Sequence, residues 1–287
     1  MKKLAFIKRP NGNHWVGDGF PVKSIFSYGD IAEEMSPFLL MDYAGPANFP
    51  PTSRKLGVGQ HPHRGFETVT IVHEGGVSHR DSSGGGGTIG PGDVQWMTAA
   101  AGLLHEEYHS PEFAARGGAF EMIQLWVNLP AKDKMGPPGY QGITADQIPE
   151  VEVPEAAGLV RVIAGQYGGA QGPARTFTPM NVWDVHLKAS HQVAFDLPEG
   201  HTTALFLTSG AIRIGGQQAR ATDLAVMERD GRRLEFEVLE DTRLLLLNGA
   251  PLNEPIVGQG PFVMNTQQEI VQAFKDFNSG RFGQIGQ

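Results

Sequence analysis

The sequence predicts an all-β protein: two successive series of short strands, each of barrel or sandwich type, followed by one C-terminal helix. Three observations carry that prediction. Thirty-eight glycines and twenty prolines among 287 residues suit a chain broken by frequent turns, not a helical one. The apolar runs are short, rich in β-branched residues and bounded by turn signals. Only one stretch, near the C-terminus, joins a helical period to capping residues.

The first series runs from about Pro37 to Leu129. Thr68–Val72 is followed by Gly75-Gly76, then by the tract Ser82 to Gly87, by Pro91-Gly92-Asp93, and by Val94–Met97. Met122 to Leu129 reads as a buried strand that stops at Pro130. The proline- and glycine-rich stretch Ala131 to Gly142 has the character of a linker or covering loop. A second series follows from about Leu159 to Asn248, with strands expected at Leu159–Ala164, Val182–Leu187, Thr203–Leu207, Ala211–Ile214, Leu234–Val238 and Leu244–Asn248. The two series match in length, yet no internal repeat is visible in the residues themselves. Thr266-Gln267-Gln268-Glu269 forms a capping box, Ile270, Phe274 and Phe277 follow at helical spacing, and Gly280 supplies a stop.

Composition removes several function classes. The net charge is −8, from 23 basic and 31 acidic side chains, which repels phosphate backbones and argues against direct nucleic-acid binding. No apolar run reaches bilayer-spanning length. The stretch Leu4–Ile7 ends at Lys8, far short of a signal-peptide core, so a cytoplasmic protein is expected. There is no cysteine, hence no disulfide, thiol nucleophile or iron–sulfur cluster. Gly85 to Gly90 formally satisfies G-x-G-x-x-G, but no helix follows to receive a phosphate. No serine sits in a nucleophile elbow.

What remains is histidine. Six of the ten histidines lie between residues 61 and 109. His61-Pro62-His63 and His105-Glu106-Glu107 each place metal-capable side chains at i and i+2, and on a strand that spacing points both to one face. Two such strands present three imidazoles and one carboxylate to one interior, a nitrogen–oxygen donor set that suits iron, copper, nickel, zinc or manganese. Glu67 shares the parity of His61 and His63, as ligand, as a partner orienting an imidazole, or as a general base. Asp93 reads as a turn residue. His109 is expected at the rim of the site, and His73 and His79 in structural roles.

The segment His61-Pro62-His63-Arg64-Gly65-Phe66-Glu67-Thr68-Val69-Thr70 resembles the signature of the pirin family, within the cupin superfamily. Pro91–Ala99 followed by Leu104–Glu107 resembles that family's second motif. Ser36–Asp42, Gln124–Leu129, Pro251–Pro255 and Gly260–Thr266 add further likenesses, in order along nearly the whole chain. The resemblance implies two stacked cupin β-barrels (a bicupin) with a C-terminal amphipathic helix. It divides the chain into an N-terminal metal-binding barrel at 1–135, a linker or covering loop at 136–158, and a C-terminal barrel without metal, plus the helix, at 159–287. It also implies Fe(II) held by His61, His63, His105 and Glu107, with Glu67 beside the metal as orienting group or catalytic base.

By the same resemblance, the activity is that of a flavonol (quercetin) 2,3-dioxygenase, which opens the flavonol's central ring with O₂ and releases carbon monoxide. The substrate is then a flavonol-like small molecule. The other implied role is an iron-dependent, redox-responsive regulator binding a transcription factor or metabolic enzyme. A monomer is expected, with no nucleic-acid or membrane partner.

Overall fold

The computed structural model describes residues 1–10 and 12–286. The chain divides into two compact units. The first comprises Asn11–Glu33, Phe38–Ala145 and Asn253–Gln287, and the second Met1–Pro10, Glu34–Pro37 and Asp146–Leu252. Each unit is built from a seven-stranded and a four-stranded antiparallel sheet.

In the first unit the large sheet runs Gly139–Ile143, Val94–Thr98, Phe66–Glu74, Gly118–Asn128, Phe38–Phe49, Phe20–Phe26, His14–Val16. The small sheet runs Gly57–His63, Leu103–His109, Val77–Asp81, Gly86–Ile89. In the second unit the large sheet is Leu4–Lys8, Leu224–Met227, Thr202–Ser209, Thr242–Gly249, Met180–Leu187, Gly158–Ala164, Glu150–Val153. Its small sheet is His191–Asp196, Arg233–Val238, Ala211–Ile214, Gln217–Arg220. Strand for strand the two orders coincide. The duplication that residue identity hides is therefore plain in the pairing.

The one mismatch is informative. The edge strand of the large sheet comes from after the barrel in the first unit (Gly139–Ile143, on Val94–Thr98) and from the chain's start in the second (Leu4–Lys8, on Leu224–Met227). This corrects the division read from the sequence at 135/136 and 158/159. Residues 139–143 are a strand of the first sheet instead of a linker, while Glu150–Val153 is already a strand of the second. The helix Gln267–Asn278, capped by the Thr266–Glu269 box as expected, belongs to the first unit. It packs Ile270, Ala273, Phe274 and Phe277 with Phe262, Met264, Phe282 and Leu104. Arg64 locks this strap down. Its guanidinium donates to Asp276 at 2.9 Å and to the Ala101 carbonyl at 2.6 Å.

The second barrel is filled by apolar side chains from both of its sheets, among them Val160, Val162, Trp183, Val185, Leu205, Leu244 and Leu246. The first barrel has an apolar cluster around Phe20, Phe113 and Phe120. Beside it lie buried polar side chains, which form the site.

Candidate metal centre

The imidazoles come together because their strands do. Gly57–His63 pairs with Leu103–His109 so that His61 faces His105 across the ladder, and Leu103–His109 pairs with Val77–Asp81 so that Glu107 faces His79. Alternation then turns His105 and Glu107 to one side, and Glu106 and Tyr108 to the other. Ligand-capable atoms of His61, His63 and His105 all lie within 4.8 Å of one another, and those of His79, His105 and Glu107 form a second such group. The imidazoles of His61, His63 and His105 thus meet in one place. Glu107, however, groups with His105 and His79, while its Oε1 accepts from Gln95 Nε2 at 2.6 Å and Thr70 Oγ1 at 3.3 Å.

Hydrogen-bond logic assigns the tautomers. His61 Nδ1 lies 2.8 Å from the Gly59 carbonyl and His63 Nδ1 lies 3.4 Å from that of Pro261. A carbonyl only accepts, so both Nδ1 atoms carry the proton and both Nε2 atoms offer a lone pair. His105 Nε2 is buried with no hydrogen-bond partner at all. An orphaned buried nitrogen beside two free lone pairs is a misfit in a structural cluster and a match for a cation. Burial, then the neighbouring imidazoles, hold His105 well below the usual histidine range; burial and His61 do the same for His63. Both rings are neutral at neutral pH, as metal ligation requires. The residues present therefore fit a divalent metal.

His61 and His63 border a cavity of about 320 Å³, at the lower end of the ~300–1,000 Å³ range of small-molecule sites. Its walls include Val16, Phe20, Leu40, Val58, Met122 and Trp126, and its polar lining is His61, His63, Glu107, Asp42 and Gln124. Asp42 went unnoticed in the sequence. Burial raises its carboxyl pKa, against the pull of the Ser24 hydroxyl at 2.6 Å and of His14. A second cavity, of about 370 Å³, lies against Glu106 and Tyr108 on the other face of the same strand. Glu106 there is already bonded to Lys55 at 3.3 Å and Arg80 at 2.6 Å, and no imidazole cluster adjoins it.

Glu67 departs from the parity expectation. Gly65, at φ +92°, breaks the strand between His63 and Phe66, and glycine is required there since a Cβ would fall 2.0 Å from the Val263 carbonyl oxygen. Phe66–Glu74 therefore starts a new phase in the large sheet. Phe66 packs on His63 and Thr70 bonds Glu107, so even positions face the site and Glu67 faces away. Its carboxyl accepts from Thr98 Oγ1 at 2.7 Å, and burial pushes its pKa up to about 7. Lys134 holds the same turn from the other side, donating to the carbonyls of Gly65 and Val263 and to Asn128 at 2.6–2.9 Å. Burial drives its pKa down to about 7.

Three other histidines are also placed. His109 is not at a rim: it is buried among Phe20, Phe49, Phe113 and Phe120, with Nε2 on the Gly19 carbonyl at 2.8 Å. His73 meets Glu121 at 3.4 Å. His79, expected to bond a turn, belongs to the site, with Nδ1 at 3.4 Å from His105 Nδ1 and Nε2 at 3.1 Å from Asp81. The His-x-Asp spacing, 79 to 81, was the signal for it. Asp93 does close its turn, accepting from the Gly90 and Ala145 amides.

Two barrels of one topology, the first carrying the imidazole clusters found among the described residues and the second filled by aliphatic and aromatic side chains, define a bicupin. Comparison narrows the class. Residues 19–127 match the Pirin family and residues 182–283 the Pirin C-terminal cupin domain. The chain is 58% identical, over 98% of its length and 99% of the relative's, to a protein of Pseudomonas aeruginosa named as a putative quercetin 2,3-dioxygenase. It is 38% identical to human pirin over 88% of its own length and 84% of that protein's. The crystal structure of a quercetin 2,3-dioxygenase from Acinetobacter baumannii superposes with a TM-score of 0.96 at 54% identity, covering all of both chains. The chain belongs to the pirin family.

Proposed function

We propose that this protein is a flavonol (quercetin) 2,3-dioxygenase using Fe(II) held by His61, His63, His105 and Glu107. The observation that carries the reading is the set of three imidazoles within 4.8 Å of one another, two of which, His61 and His63, lie on the wall of a mostly apolar cavity of about 320 Å³. The kinship with proteins named for this activity supports it.

Bound iron would supply the oxygen chemistry, which no side chain of the chain can. The chain supplies the rest. Three imidazoles and one carboxylate would hold a divalent ion with a net charge of about +1, so the site would favour an anionic, enol-type substrate over a neutral one. The apolar walls around Leu40, Met122 and Trp126 take planar aromatic rings and exclude water. Asp42, a cavity carboxylate whose burial raises its pKa, is the group to accept the flavonol hydroxyl proton. Gln124, held by the Thr70 hydroxyl at 2.7 Å, presents an amide to a ring oxygen. Glu67 faces away and takes no part.

The test is anaerobic loading with Fe(II), addition of quercetin, then oxygen. Wild type should consume O₂ and lose the flavonol absorbance, while His61→Ala and Glu107→Ala should do neither. Full activity in those variants would place the metal elsewhere. Stoichiometric zinc in protein purified without added metal would count against oxygen chemistry.

A further inference from the structure

We infer that Asp81 and His79 are positioning residues that decide which nitrogen of His105 carries the proton, and thereby make its Nε2 available to a metal. The inference deepens the metal reading above and rests on it. The chain of bonds runs from a loop to the site. Asp81 Oδ1 accepts from the Ser83 amide at 2.8 Å, the Ser83 hydroxyl at 2.6 Å and the Gly85 amide at 3.0 Å. Its other oxygen faces His79 Nε2 at 3.1 Å. A carboxylate only accepts, so His79 Nε2 carries the proton, and the Gln95 amide nitrogen, a donor, facing His79 Nδ1 at 3.5 Å makes that nitrogen the acceptor. Two groups face that acceptor: Gln95 Nε2 at 3.5 Å and His105 Nδ1 at 3.4 Å. His105 Nδ1 is then the protonated nitrogen, and the lone pair is left on the orphaned Nε2.

The ring of His79 is fixed in this orientation. It stacks on Tyr140 at 5.1 Å and 16°, is 1% exposed, and both its nitrogens are engaged. For His61 and His63 backbone carbonyls do the same work. His105 has no such carbonyl, and His79 with Asp81 takes that place.

Asp81→Asn is the decisive substitution because its shape is unchanged. The three donors around Oδ1 would hold the amide oxygen, leaving the amide NH₂ to point at His79 Nε2. His79 Nε2 must then accept, His79 Nδ1 must donate, and His105 Nδ1 must accept. The proton of His105 moves to Nε2, where the metal would bind. The experiment follows histidine tautomers by long-range ¹H–¹⁵N spectra of metal-free, histidine-labelled protein, and Ni(II) affinity by competition with a chelator.

Wild type should show His105 protonated at Nδ1, and Asp81→Asn should show it protonated at Nε2 with Ni(II) affinity down by about 10- to 100-fold. His79→Phe, which keeps the stack on Tyr140 but imposes no tautomer, should lose less. A merely structural role predicts the reverse order, since the isosteric change disturbs packing less. A His105 that keeps its Nδ1 proton in Asp81→Asn, Ni(II) affinity within twofold of wild type, or loss of one coordinated nitrogen in His79→Phe would each overturn the inference. Failure of the metal reading looks different: wild type binds no Ni(II), while the tautomers are still read in metal-free protein.

Discussion

The two barrels share one strand order yet hold opposite interiors. Aligning the small sheets by their pairings sets His61 against Val193 and His63 against Phe195, and His105 against Phe236 and Glu107 against Val238. The neighbouring strand sets His79 against Ile212 and Asp81 against Ile214. All six counterparts lie in the apolar core of the second barrel. The scaffold therefore does not require the polar cluster; it closes as well, and with better-satisfied interiors, around valine, isoleucine and phenylalanine. Buried imidazoles cost stability unless something compensates them. Among the described residues such a cluster lies in the first barrel, with an orphaned nitrogen at its centre, and that barrel is the one proposed to hold the metal.

The largest way to break this contrast is to open a hole in the second barrel. Leu246 is fully buried on its central strand, Thr242–Gly249. Leu246→Ala should destabilise the protein by about 2–5 kcal/mol, as large-to-small changes in packed cores do. Urea unfolding gives that figure, and Ni(II) stoichiometry of the folded protein should not change. A lost metal site with intact stability would show that the second barrel takes a direct part in the chemistry.

Most of the fold was legible in the sequence, and so were the residues of the proposed metal site, for reasons that differ. Glycine and proline punctuation exposed the strands. The i, i+2 spacing exposed His61, His63, His105 and Glu107 because each pair sits within one uninterrupted strand. Glu67 was misplaced for the same reason in reverse: parity was carried across Gly65, whose positive φ resets it. Asp42 escaped because its role depends on pairing between strands far apart in sequence, and His79 because a His-x-Asp pair within one strand, 79 to 81, also serves as an ordinary buried hydrogen bond. The assignment of the C-terminal helix failed since order along the chain says nothing about which barrel a returning segment covers.

Glu67 offers a smaller and pH-dependent test of the face it occupies. Its folded pKa of about 7 lies above the ordinary 4.5. The folded protein therefore keeps a proton that the unfolded chain has released, and the carboxyl's contribution is complete below pH 4.5 and lost as pH rises through 7. The loss amounts to roughly 3 kcal/mol, at about 1.4 kcal/mol for each pH unit. Glu67→Gln keeps an acceptor for Thr98 and removes the charge. Its urea midpoint should fall less than that of wild type between pH 5 and 8, leaving the variant the more stable at pH 8. Identical pH profiles would mean the carboxyl titrates normally and faces water or a cation.

The smallest expected effect concerns which barrel the helix serves. Thr266 caps the helix by accepting from the Glu269 amide at 3.2 Å, and Glu269 returns a bond to the Thr266 amide at 2.8 Å. Thr266→Ala removes one half of that box and should cost about 1 kcal/mol. The place where the cost appears matters more than its size. The helix and the hairpin before it supply the Asp276 carboxylate to Arg64 and the Pro261 carbonyl to His63. Hydrogen exchange should therefore quicken in the helix and around residues 61–65, and remain unchanged in Val160–Val162 and Leu244–Leu246. Faster exchange in the second barrel instead would return the helix to the unit that precedes it in the chain, and His63 would need another partner to orient its ring.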